Sequence, residues 1–155
     1  MRALRAIRGR QQRGTALVEF AIALPLLVLM LLATAELGRM LSQYNTLVKS
    51  VRDAARYAAA KASAGTTRVV SITQAVRDAT TNLAVTGNVN GTGAPLLPGL
   101  SASNIAISDA GNGYVNISAS YTYAPMLGKS LSTFGYSGNI VLAIPLKTTV
   151  VMRAL

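Results

Sequence analysis

Hydrophobic and polar positions divide this chain into stretches with different periods. Residues 20–35 are sixteen consecutive uncharged positions, and residues 16–35 make twenty with Glu19 as the one charge. A helix that crosses a bilayer needs roughly 20 predominantly apolar residues, so this stretch predicts one span. Pro25 lies inside it, where it removes a backbone hydrogen bond and predicts a bend. Beyond the span, apolar or small residues recur at Leu37, Leu41, Tyr44, Val48, Val51, Ala55, Ala58 and Ala62, in alternating steps of four and three. Polar residues such as Gln43, Lys49, Arg52 and Arg56 fall off that stripe. The pattern predicts a single helix over residues 15–64, first apolar all round and then amphipathic, with Gly65 as its stop.

The distal part of the stripe, with Ala55, Ala58 and Ala62, suits close packing against the chain's own C-terminal domain. The proximal part has no obvious cover within the chain. Leu37, Leu41, Tyr44, Val48 and Val51 are therefore the candidate face for a partner helix.

Periodicity then shortens. Residues 69–85 predict a second helix with Ile72, Val76, Ala79 and Leu83 on one face. Residues 87–99 are rich in Gly, Asn, Thr and Pro and predict a loop. Ile105 and Ile107 alternate with small residues, and residues 109–113 (Asp-Ala-Gly-Asn-Gly) form a candidate tight turn. Val115, Ile117, Ala119, Tyr121 and Tyr123 alternate with polar residues, as in a strand buried on one side. Residues 124–139 form a connection. Residues 140–152 read as a strand interrupted by Pro145, which places an edge or a bulge there. Tyr114, Tyr121, Tyr123 and Tyr136 suit half-buried strand positions with wet hydroxyls better than a carbohydrate-binding set. The expected fold class is α+β and pilin-like, a long N-terminal helix packed on a small antiparallel sheet of three or four strands. The expected divisions are residues 1–14, a transmembrane helix at 15–36, an amphipathic continuation at 37–64 and an α+β domain at 65–155.

Composition narrows the chemistry. The chain has no histidine and no cysteine, which removes the commonest general base, the commonest metal ligands and thiol nucleophiles. Its five acidic residues, Glu19, Glu36, Asp53, Asp78 and Asp109, are widely spaced. No enzymatic activity, cofactor or metal is expected. The net charge of +10 is uneven, because Arg2, Arg5, Arg8, Arg10 and Arg13 all precede the span and no acid lies among them. Basic residues beside a hydrophobic span and without interleaved aromatics indicate topology rather than nucleic-acid binding. They predict a cytoplasmic N-terminus and a domain across the inner membrane, in the periplasm of a bacterial cell.

Three interpretations fit the N-terminal segment. It can be a plain anchor, or a secretory signal cut after Ala35 at Ala33-Thr34-Ala35. Residues 13–20 (Arg-Gly-Thr-Ala-Leu-Val-Glu-Phe) resemble a type IV prepilin processing site. That resemblance implies a cut between Gly14 and Thr15 on the cytoplasmic side, with Glu19 becoming the fifth mature residue. An ionised carboxylate in hydrocarbon costs on the order of 3 kcal/mol and so calls for a partner. The α-amino group freed on Thr15, with a reference pKa of about 8, supplies one. In pilin assemblies the glutamate is thought to meet the amine of a neighbouring subunit, which sets subunit registry.

Residues 14–20, Leu24-Pro25, residues 36–41 (Glu-Leu-Gly-Arg-Met-Leu) and residues 50–59 together resemble the TadE-like pseudopilins, or minor pilins, of the Flp/Tad pilus system. The resemblance is strong over residues 10–62 and weaker beyond. It implies processing by the prepilin peptidase and association with a related, TadF-like pseudopilin and the Flp pilus assembly machinery. It also implies a part in adhesion and biofilm formation. Major Flp pilins are much shorter and commonly carry Tyr after the glutamate, so Phe20 and the added domain point to the minor class.

Overall fold

The structure, a computed structural model, describes residues 4–64, 70–126, 128, 130–131, 138 and 140–154. In chain order its elements are α1 (Leu4–Lys61), β1 (Ser63–Ala64), β2 (Val70–Ser71), α2 (Gln74–Thr86) and a 3-10 turn (Ala102–Asn104). There follow β3 (Ile105–Gly111), β4 (Tyr114–Thr122), β5 (Ser130–Leu131), β6 (Ile140–Val141) and β7 (Pro145–Arg153). The arrangement is α+β, and it divides into two compact units, residues 1–38 and residues 39–155.

The first unit is helical and apolar. Helix α1 runs through Pro25 without interruption. Its large side chains face outward, with Leu17 at 70% and Ile22 at 75% exposure. The hydroxyl of Thr34 donates to the Met30 carbonyl one turn back (2.7 Å), so this polar group needs no water.

The second unit has one core. Leu47, Val51, Ala54 and Ala58 of α1 cluster with Val115, Ile117, Ala119 and Tyr121 of β4, and Leu97 and Leu100 from the loop fill the gap. Ala54 and Ala58, both fully buried, are small side chains that the helix contributes to this core. The three-stranded antiparallel sheet has the order β3-β4-β7. Strand β4 alternates as its sequence predicts, with Val115, Ile117, Ala119, Tyr121 and the following Tyr123 buried. The turn between β3 and β4 is tight because Gly111, Asn112 and Gly113 take consecutive positive φ angles of 80°, 55° and 82°. The Asp109 carboxylate accepts from the Gly111 N–H (2.7 Å) and closes it.

Several expectations change in detail. The second helix starts at Gln74, because the β-branched run before it pairs instead: β2 lies antiparallel to β1. Thr73 caps α2 by accepting from the Val76 N–H (3.4 Å), and Gly87 ends it with φ 74°. The face α2 buries includes Thr80 and Ala84. Thr80 is tolerated there because its hydroxyl donates to the Val76 carbonyl (2.6 Å). Pro145 opens β7 rather than interrupting it, where no ladder N–H is needed. Tyr121 and Tyr123 are fully buried rather than half-buried. The expected helix stop Gly65 and Tyr136 lie outside the described residues.

Candidate membrane segment and processing site

Helix propensity and apolar composition make residues 14–61 the one candidate membrane span among the described residues. None of its most hydrophobic window is buried, as a lipid-facing surface requires and a soluble core helix does not. Gly14 and Thr15 are exposed near its start, and Glu19 lies one turn beyond Thr15 on the same face by spacing. A Cβ on Gly14 would meet nothing within 4 Å, and its φ is not in the left-handed region. Glycine in a helix interior costs about 1 kcal/mol relative to alanine, so local folding gives no reason for glycine there.

Glu19 is exposed and, among the described residues, makes no ion pair; Asp53 and Arg56 do, at 3.9 Å and largely exposed. Such a surface pair contributes little. Glu36, at the other end of the apolar stretch, is buried. Asp78 accepts from the Gln74 amide (2.8 Å), and Asp109 serves its turn, so these acids have separate local tasks.

The predicted partner face separates into two parts. Leu37, Leu41 and Tyr44 are exposed at 57%, 59% and 37%, and Val48 is half-buried. Val51 is fully buried in the chain's own core, which removes it from any partner surface. The cause is geometric. A strict 3.5-residue stripe drifts by about 20° per heptad around a straight helix, so two heptads carry it about 40° from where it began. The face the domain covers follows Met40, Gln43, Leu47, Val51, Ala54, Ala58 and Ala62, and its longer mean step stays on one side.

Gln43 is the member of this buried row that apolar patterning missed. The Tyr121 hydroxyl donates to both Gln43 Oε1 (3.2 Å) and the Pro98 carbonyl (3.0 Å), tying α1, β4 and the loop together. Burial raises the Tyr121 pKa above its ordinary value, against smaller lowering by the Ala124 backbone and Arg39.

Residues 14–56 match the family model of TadE-like proteins, beginning at Gly14 and stopping within α1 before the sheet. No curated protein and no solved structure matches the chain significantly. A single apolar N-terminal helix fits the single-pass anchor of a pilus-associated protein. Over residues 14–56 the chain is similar to TadE-like proteins, a family that suggests a Tad-pilus-associated, minor-pilin-like role.

Proposed function

We propose that the protein is a minor pilin-like subunit that prepilin peptidase cuts between Gly14 and Thr15. Residues 15–36 then hold it in the inner membrane, with residues 39–155 in the periplasm. There it takes part in Tad pilus assembly and adhesion beside a related pseudopilin. Its role is structural rather than enzymatic. The observation that carries this proposal is where the family match begins: Gly14, a glycine the helix does not need, five residues before Glu19, the one charge within residues 16–35.

Cleavage at that point releases the five leader arginines and leaves an ammonium on Thr15 near the Glu19 carboxylate. A charge in lipid costs on the order of 3 kcal/mol, so contact between Glu19 of one subunit and the Thr15 amine of the next favours docking. It also fixes the axial register. Leu37, Leu41 and Tyr44 follow the span in steps of four and three and are each exposed, and a related subunit's helix would cover them.

Intact-mass measurement of protein from native membranes tests the processing step. The expected N-terminus is Thr15; Met1 would mean an uncleaved anchor, and Glu36 a secreted domain released after Ala35. Gly14→Asp is expected to leave the full leader on the chain, and an unchanged mature mass would refute the site. Glu19→Ala is expected to be cut normally yet lower surface pili at least tenfold. Wild-type amounts of pili would remove Glu19 from registry.

A further inference from the structure

The two edges of the main sheet differ. In the antiparallel ladder between β4 and β7, Tyr123 N–H donates to the Ile144 carbonyl and Ala154 N–H donates to the Gly113 carbonyl. With Tyr121 opposite Leu146 and Ile117 opposite Val150, these bonds fix which residues face inward. The even-numbered residues of β7 bond to β4. The backbone groups of Pro145, Lys147, Thr149, Val151 and Arg153 therefore point away from the sheet. The same parity directs the Ile107 carbonyl out of β3, and Arg77 of α2 covers it (Nη1 to O, 2.9 Å). Among the described residues nothing covers the corresponding edge of β7, and all five outward-pointing residues are exposed.

An open nine-residue edge invites another strand. Its charges select which one. Lys147 and Arg153 stand six positions apart on one face, roughly 20 Å at strand rise. Across the ladder they face Ser120 and Tyr114, and neither makes an ion pair among the described residues. A second copy pairs badly. The antiparallel register that joins all four outward N–H groups, avoiding Pro145, sets Lys147 against Arg153 twice. The chain's own acids do not help, since none lies in β7.

We infer that the outer edge of β7 is a docking site for an extended segment of a different protein, one whose acidic residues lie six positions apart on the face opposite Lys147 and Arg153. The segment adds a fourth strand to the β3-β4-β7 sheet. This does not depend on cleavage at Gly14.

The test uses the full chain in detergent and a fluorescent nine-residue peptide of alternating Thr and Val with Glu at its second and eighth positions. Anisotropy is expected to show saturable binding. Moving the second Glu to the seventh position, on the opposite face, weakens it at least tenfold. Thr149→Pro removes an outward N–H that the β4 ladder does not use, and also weakens binding at least tenfold while circular dichroism stays unchanged. The double variant Lys147→Glu/Arg153→Glu keeps the edge but transfers preference to the peptide with Lys in place of Glu. Binding indifferent to the charge reversal, or no binding of the acidic peptide, overturns the inference. So does self-association of the full chain that Thr149→Pro abolishes.

Discussion

At the scale of single residues, Tyr121 shows what a strand position can do beyond filling space. Its ring belongs to the core, while its one hydroxyl proton is shared between the Gln43 side chain and the Pro98 carbonyl. Tyr121→Phe keeps the ring and leaves two acceptors without that donor, a loss of about 1–3 kcal/mol for buried polar groups. Urea unfolding of the full chain in detergent should show this as a lower midpoint with an unchanged slope. The variant should also alter the pH dependence. Burial raises the folded pKa of Tyr121 above 10.0, so the folded state holds this proton more tightly than the unfolded state. The stability it contributes is fully present below the unfolded pKa and is lost as pH rises through the folded value. Wild-type stability should therefore decline above about pH 10 more steeply than that of Tyr121→Phe. The tyrosine's position on the buried face of β4 was legible from alternation with Asn116, Ser118 and Ser120. Its partners were not, because Gln43 and Pro98 lie far away in sequence and no local period links them.

Among the elements, legibility followed the strength of the local constraint. Strand β4 was readable because one face is covered and the other wet, so its side chains alternate cleanly. The apolar span was readable from composition alone. The start of α2 was not, because Val70, Ile72 and Thr73 are β-branched and the fate of such residues depends on a pairing partner, here β1 for Val70 and Ser71. Helix α1 was misread by a fraction of a turn. Alanines fit either stripe, so the sequence favoured a 3.5-residue repeat, whereas one helix against one sheet has no supercoil to impose it. Ala54 and Ala58 are fully buried in the core that α1 shares with β4. Ala58→Leu forces extra methyl groups into a filled space and should destabilise the domain by about 1–3 kcal/mol. Ala60→Leu, at an exposed position of the same helix, should stay within about 0.5 kcal/mol of wild type. Thermal unfolding of the two variants separates packing from helix propensity, since both replace alanine by the same residue within one helix.

For the whole molecule, the decisive question is which side of the membrane holds the folded domain. Moving an arginine to the bilayer centre costs about 2.5–3.5 kcal/mol per residue on insertion scales. Arg2, Arg5, Arg8, Arg10 and Arg13 precede the span with no acid among them, so carrying that segment across is strongly opposed. The basic residues after the span are interrupted by Glu36, Asp53, Asp78 and Asp109 and belong largely to a folded unit. Charge near the ends of a span sets its orientation more than charge in a distal domain, so the domain should face the periplasm. The absence of cysteine makes the test free of background. Ala94→Cys places a thiol on an exposed loop residue of the domain, and a membrane-impermeant maleimide should label it in intact spheroplasts. Gln12→Cys in a Gly14→Asp chain retains the leader and should label only after lysis. If both sites react before lysis, the membrane was not intact. If Gln12→Cys alone reacts, the orientation is reversed, and the arginines are then not the topology signal their placement implies.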